Sequence, residues 1–271
     1  MIFVSDLDKT LLRSDLSISD FTKNIWNNFK YPLTIATARS YTGAKTLLNG
    51  LKLNLPLILL DGAMISMPDG EILKINAINK SLADEIIDNV YKNFKDYPLI
   101  VGFNEIGNEK FIYPKKLNIY QKELLQNYKN DNRVLNVNNL RGLNYNLKIV
   151  YLGEYELISQ IEKFVKKYDV ETKMTKDPYI DCYFLTILHP LSDKANALKE
   201  LEEELEIDKK DVYVFGDSIN DIGMFEYADV SIAVKNALDE VKKRADIVLP
   251  YTNDEDAVAK FLKEIKWQEK N

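Results

Sequence analysis

The sequence has 271 residues, 46% hydrophobic and 29% charged, with a formal charge of −6. That balance fits a soluble folded protein and excludes the basic stripe of a non-specific nucleic-acid binder. A single cysteine, Cys182, excludes an internal disulfide and a thiolate metal cluster. The most continuous apolar run, Leu55 to Leu60, is far too short for a bilayer. No basic-then-apolar leader opens the chain, so the expectation is a cytoplasmic protein with no membrane and no nucleic-acid partner. The length favours two structural units over one.

Ile2 to Val4 reads as a buried strand that breaks into Asp6-Leu7-Asp8-Lys9-Thr10. Side chains at i and i+2 of an extended segment share a face, so Asp6 and Asp8 can share one site. Two carboxylates there repel unless a cation or a proton lies between them, and a hard ion such as Mg²⁺ suits the oxygens. The alternative is a solvated acidic turn. Ser19 caps a helix expected over 20–29, with Phe21, Ile25 and Phe29 on one face, and Tyr31-Pro32 ends it. Leu33 to Ala36 is a second strand, ending in Thr37-Ala38-Arg39-Ser40. A helix through Leu48 and a third strand, Leu57 to Leu60, follow. Strand, helix, strand, helix, strand predicts a parallel α/β sheet. Pro68-Asp69-Gly70 centres a β-hairpin from Ala63 to Lys74.

From 79 to 188 the pattern changes, and most of the 16 tyrosines fall here. Helices are expected over 81–94, 118–128 and 154–168. Strands are expected over 99–103, 110–113, 145–152, 170–175 and 180–188. This block predicts an α+β unit inserted into the α/β core, whose two arms are 1–78 and 189–271. Tyrosines at strand positions are mostly packing. The single histidine, His189, precedes Pro190 with no nucleophile beside it, so it reads as structural or as a lining residue.

The α/β pattern returns at Ser192-Asp193-Lys194, which opens a helix through Glu204. Val212 to Phe215 is a strand ending in Gly216-Asp217-Ser218-Ile219-Asn220-Asp221. A helix to Tyr227, strand 230–234, helix 237–244, strand 247–249 and a last helix from 255 complete the chain.

Four polar clusters thus follow strands or open a helix: Asp6/Asp8/Thr10, Thr37/Arg39, Lys194 and Asp217/Ser218/Asn220/Asp221. In an open parallel sheet, ligands bind beyond the carboxyl ends of the strands. Several carboxylates suit Mg²⁺, while a hydroxyl, a lysine and backbone N–H groups suit phosphate oxygens. Each cluster also has a local reading: Thr37 as a helix cap, Lys194 as a solvated helix-end charge, Asp217 to Asp221 as an Asx-type turn.

With these clusters in order, the sequence resembles the haloacid dehalogenase-like hydrolases, in particular the Cof-type capped phosphatases. Val4-Ser5-Asp6-Leu7-Asp8-Lys9-Thr10-Leu11 is similar to the first motif, Ile35-Ala36-Thr37-Ala38-Arg39 to the second, and Lys194 to the third. Gly216-Asp217-Ser218-Ile219-Asn220-Asp221-Ile222-Gly223-Met224 matches the fourth without a gap, and Ala228 to Ala237 resembles the run that follows it. The resemblance covers both arms of the core and says little about the insert. Lys9 and Ala38 stand where the family has glycine, and Asp61 where it has asparagine. Loss of glycine matters where φ is positive or the ligand comes close.

The resemblance implies a Rossmann-like core with a cap, and Mg²⁺-dependent hydrolysis of small phosphomonoesters such as sugar phosphates. Asp6 is then the nucleophile that forms an aspartyl-phosphate, and Asp8 the acid and base. Asp6, the Asp8 carbonyl, Asp217 and Asp221 hold the metal. Lys194 holds the phosphoryl group in catalysis, Thr37, Ala38 and Asn220 bind the substrate, and Arg39 orients the loop or binds the substrate. A sugar phosphomutase of the same fold and a receiver-like phosphoacceptor module are the alternatives. The first needs a second basic phosphate site. The second places its phosphoacceptor on a later strand.

Overall fold

The computed structural model describes residues 1–106, 108–177, 180–205 and 212–268. Its residues divide into two compact units, Met1–Ile75 with Asp193–Asn271, and Asn76–Ser192. The chain crosses between them a few residues outside the positions where the sequence pattern changes.

The first arm holds β1 (Ile2–Ser5), α1 (Asp20–Asn27), β2 (Leu33–Ile35), α2 (Tyr41–Lys45), β3 (Leu57–Leu59), β4 (Met64–Ser66) and β5 (Ile72–Ile75). The insert holds β6 (Ile78–Asn79), α3 (Lys80–Phe94), β7 (Leu99–Phe103), β8 (Glu109–Pro114), α4 (Ile119–Leu125), β9 (Val134–Val137), β10 (Tyr145–Gly153), α5 (Tyr155–Val165), β11 (Glu171–Lys176) and β12 (Tyr183–Leu188). The second arm holds α6 (Lys194–Glu204), β13 (Val212–Gly216), α7 (Ile222–Tyr227), β14 (Val230–Ala233), α8 (Asp239–Lys242), β15 (Ile247–Val248) and α9 (Ala257–Gln268). None of these helices is long and apolar enough to cross a membrane.

In the first unit the sheet order among the described residues is β15-β14-β13-β1-β2, and every pairing is parallel. All four residues of β1 are buried, as expected of a central strand covered on both faces. Because the strands run parallel, the carboxyl ends of β1, β2 and β13 share one edge of the sheet. The third strand does not simply extend it. β3 pairs antiparallel with β4, which pairs with β5, and β3 meets β2 only at a single parallel bridge, Ala36 to Ile58. The hairpin around Pro68-Asp69-Gly70 forms where its turn residues place it, closed by Met67 N–H to the Glu71 carbonyl at 2.7 Å.

Helix α1 starts at Ser19, whose hydroxyl accepts from Thr22 N–H at 3.0 Å. Its buried face is Thr22 and Trp26, not Phe21, Ile25 and Phe29, and Phe21 is exposed. Both stripes have i, i+4 spacing. The difference is made by the partners: Trp26 Nε1 donates to the Lys52 carbonyl and Thr22 Oγ1 to Asp256. Helix α2 is one turn long rather than reaching Leu48, and its cap is Ser40, not Thr37. Helix α8 is likewise shorter than 237–244.

The second unit is a sheet in the order β11-β12-β10-β7-β8-β9, with β6 alongside β10. Successive side chains of β10 point to opposite faces. Ile149 and Tyr151 join Ile86 and Val90 of α3 and Ile158, Ile161 and Val165 of α5. Val150 and Leu152 join a smaller cluster with Tyr120 and Leu124 of α4. Strands β6 and β9 carry no clear sequence signal. β9 has only its end residues half-buried and runs parallel to β8, where Arg133 pairs with Asp131 and Glu109. His189 has the structural role expected: its Nδ1 and carbonyl accept the Leu191 and Ser192 N–H groups.

Candidate active site

β1 delivers Asp6 directly from its buried end, and the Asp6 N–H continues the ladder to the Phe215 carbonyl of β13 at 2.9 Å. β13 delivers Asp217 from the adjacent strand. Beyond it, residues 219–221 form a 3-10 turn in which Ser218 and Asp221 cap each other. Asp221 folds back so closely that a side chain at Gly216 would lie 2.6 Å from its Cβ, so the strand must end in glycine there. The segment is thus a capped 3-10 turn rather than an Asx-type turn.

Helix α6 places Lys194 in its first turn, after Asp193, whose carboxylate accepts from Asn196 N–H at 2.8 Å. Lys194 is not a solvated helix-end charge. It is 1% exposed, and its ammonium donates to Asp6 Oδ1 at 2.6 Å and to Asp221 Oδ1 at 2.7 Å. The start of α6 is held against the loop after β3, because a Cβ on Gly62 would fall 2.1 Å from the Asp193 carbonyl oxygen.

Asp6, Asp217 and Asp221 each bring a carboxylate oxygen within 4.8 Å of the others, and all three are buried. Thr10 Oγ1 donates to Asp217 Oδ1 at 3.0 Å. Asp221 Oδ2 accepts the backbone N–H groups of Asp217 and Ser218, each at 3.0 Å. Three carboxylates face one ammonium, and buried charge left uncompensated is costly. The electrostatics carry that cost. Burial first, opposed by Lys194 and reinforced by Asp221 and Asp217, holds the Asp6 carboxyl well above its ordinary range. Burial and then Asp221 push Asp217 up to about 6. Burial alone would lower the Lys194 ammonium, but Asp221, Asp6 and Asp61 more than offset it and raise it. A hard divalent cation fits this donor set, since it would supply the missing positive charge to anionic oxygens.

The second cluster is joined to the first through the backbone. Thr37 is buried at the end of β2, its N–H bonded to the Ile58 carbonyl at 2.9 Å and its Oγ1 accepting from Arg39 N–H at 3.2 Å. Arg39 grips Asp8 rather than standing open: Nε donates to Oδ2 at 2.8 Å and Nη2 to Oδ1 at 2.6 Å. The Asp8 side chain therefore lies outside the carboxylate trio. Ala38 is exposed, with φ outside the left-handed region, whereas Lys9 has φ 59°. Asn220 Nδ2 donates to Asp61 Oδ1 at 2.9 Å, a pairing that sequence reasoning missed. The signal was available: Asp61 follows an apolar strand end, as Asp6 and Asp217 do.

All the site residues read from the sequence lie in the first unit, and hydrogen bonds connect them. Asp6, Lys194, Asp221 and Asp217 form one cluster, and Thr37, Arg39 and Asp8 another. Asp61 N–H bonds the Thr37 carbonyl at 3.0 Å, while its side chain takes Asn220.

Comparison with known proteins identifies the family. The sequence profile of the haloacid dehalogenase-like hydrolases matches residues 3–262. The chain is 26% identical over 281 residues to the Bacillus subtilis 5-amino-6-(5-phospho-D-ribitylamino)uracil phosphatase YitU, covering 96% of this chain and 95% of that one. Among solved structures, a haloacid dehalogenase-like hydrolase from Bacteroides thetaiotaomicron superposes with a TM-score of 0.78 at 23% identity, covering 97% of this chain and 98% of that one. A Thermotoga maritima protein superposes with a TM-score of 0.76 at 24% identity, covering 97% and 96%.

Proposed function

Because this chain belongs to the haloacid dehalogenase-like hydrolases and is a phosphoric monoester hydrolase, we propose that it cleaves small phosphorylated metabolites through an aspartyl-phosphate on Asp6. The observation that carries this reading is the buried Asp6–Lys194 pair at 2.6 Å, set beside two further carboxylates at the sheet edge. A nucleophilic carboxylate splits one hard displacement into two easier ones. The Lys194 ammonium beside it can hold a phosphoryl oxygen as that oxygen approaches the carboxylate.

Asp8 is the acid that protonates the leaving oxygen and the base that activates water in the second step. It stands two residues beyond the nucleophile, partly exposed and oriented by Arg39. Thr37, Ala38 and Asn220 line the phosphoryl position. Asp6, the Asp8 carbonyl, Asp217 and Asp221 would hold Mg²⁺, which would offset the negative charge shared by nucleophile and phosphate. We assign substrate choice to the inserted unit, as the expected cap of this architecture, and sugar phosphates or related metabolites as the substrate class.

The test is a panel of phosphomonoesters, including the ribitylaminouracil phosphate named for YitU, assayed with purified protein and Mg²⁺. Phosphate release is expected from at least one member, to stop on chelation and to return with Mg²⁺. No release from any member overturns the phosphatase reading. Full activity in excess chelator overturns the metal assignment alone. Exchange of residues 76–192 for the corresponding unit of a relative should reorder the panel, and an unchanged order would reject its role in selection.

A further inference from the structure

Leu60, Asp61 and Gly62 hold φ at 53°, 58° and 93° in succession. That is the left-handed region, which a leucine enters only under strain. The run is locked in place by Leu60 N–H to the Arg39 carbonyl and Asp61 N–H to the Thr37 carbonyl, both at 3.0 Å. Gly62 then passes directly against Asp193. What the strained turn delivers is the Asp61 carboxylate, 7% exposed and 2.9 Å from Asn220 Nδ2.

A carboxylate only accepts hydrogen bonds, so Asn220 must turn its NH₂ group toward it. Its Oδ1 consequently faces Ser218, whose hydroxyl donates to it in a short hydrogen bond. The oxygen and one amide hydrogen of Asn220 are thereby engaged. The second amide hydrogen has no acceptor among the described residues.

We propose that Asp61 is a positioning residue that fixes the orientation of the Asn220 amide, leaving one N–H to donate to an oxygen of the bound phosphoryl group. The identity of that anion rests on the phosphatase reading. The orientation itself does not. An asparagine at 61, as in the motif this stretch resembles, offers both a donor and an acceptor and so permits either face of Asn220. The carboxylate permits one. Its cost is a further buried acidic group, partly offset because Asp61 is among the charges that keep Lys194 protonated.

The test uses the full chain and the variants Asp61→Asn, Asn220→Ala and the two combined. Asn tolerates left-handed backbone, so Asp61→Asn should keep the turn. In ¹⁵N–¹H spectra the Asn220 side-chain pair is assigned through its own Cβ by triple-resonance connectivity in the wild-type protein. Slow rotation about the amide bond separates the two hydrogens of any asparagine, so the expected sign is a separation well beyond that of exposed asparagines, shrinking toward theirs in Asp61→Asn. A wild-type separation no larger than that of exposed asparagines overturns the proposal whether or not any variant folds.

In phosphate release, Asp61→Asn is expected to lower kcat/KM about tenfold, the size of one charge-assisted hydrogen bond. It is expected to cost nothing further once Asn220 is alanine. Equal loss in both backgrounds means that Asp61 acts apart from Asn220, and overturns the proposal. If the wild-type protein turns over no phosphomonoester, the phosphatase reading fails while the spectra still decide the orientation.

Discussion

Arg39 closes a two-toothed ion pair on Asp8, with both nitrogens within 2.8 Å of the carboxylate. The planar fork of a guanidinium matches a carboxylate in a way a lysine cannot, so this contact specifies where the Asp8 side chain sits. Arg39 is thus a positioning residue for the proposed acid and base. Arg39→Ala is predicted to lower kcat by about 10- to 100-fold, the usual cost of a misplaced catalytic group, with KM little changed. Arg39→Lys should recover only a small part. A rise in KM at constant kcat would show instead that Arg39 binds substrate and that its grip on Asp8 is incidental.

The two carboxylates of the opening loop should fail differently. Asp6→Asn removes the nucleophile, so no phosphoenzyme forms at any substrate concentration. Asp8→Asn keeps the nucleophile and loses the base for the second step. With an aryl phosphate, whose leaving group needs little protonation, the Asp8 variant should accumulate one phosphoryl group on acid quench. Intact-protein mass and peptide mapping should place it on Asp6. An adduct on Asp8 in the wild-type protein, or near-normal turnover by Asp6→Asn, would reverse the assignment.

Lys9 and Ala38 both replace glycines of the related motifs, but only Lys9 sits at positive φ. Lys9→Gly relieves left-handed strain of about 1–2 kcal/mol and forfeits about 0.4–1 kcal/mol of chain entropy. A net gain of about 0.5–1 kcal/mol is expected, visible as a Tm higher by a few degrees. Ala38→Gly has no strain to relieve and should lose about 0.4–1 kcal/mol. Thermal unfolding of the pair checks the sign of each, and a stabilising Ala38→Gly would contradict the account.

Asp96, in the inserted unit, is pushed up to about 6 by burial, against weaker help from Tyr97 N–H and Asn118. Its Oδ2 and the hydroxyl of the fully buried Tyr151 both lack a hydrogen-bond partner among the described residues. A folded-state value above the ordinary 3.8 means that the native protein binds the extra proton. This contribution is full below about pH 4 and is lost as pH rises through about 6. Asp96→Asn should therefore be more stable than wild type at pH 7.5, by on the order of 2–3 kcal/mol, and nearly equal to it at pH 3.5. Urea unfolding at the two pH values measures this, and a destabilised variant at pH 7.5 would refute it.

Much of the site was legible because parallel sheets leave a plain local record. Ile2 to Ser5 and Val212 to Gly216 are apolar runs cut off by acidic residues, and strands of one direction bring such ends to one edge. Caps were legible for the same reason: Ser19 and Asp193 act on N–H groups three residues away. Helix faces were less so. In α1 two stripes of equal spacing compete, and the choice of Trp26 over Ile25 depends on Lys52, far away in the chain. β9 escaped because its side chains are only marginally buried and leave little alternation to read.

By itself, the sequence determined which side chains stand at the strand ends, since strand periodicity and turn chemistry act over a few residues. Only the tertiary structure decided what each one touches. Lys194 reads as a solvated helix end until the fold sets it between Asp6, 188 residues away, and Asp221. Arg39 reads as a substrate ligand or a loop-orienting residue, and only the fold brings it to Asp8 across 31 residues. Asp61 reads as a departure from a motif until Asn220 arrives from 159 residues along the chain. Partners at such separations are chosen by how the elements pack, and no local spacing encodes that choice.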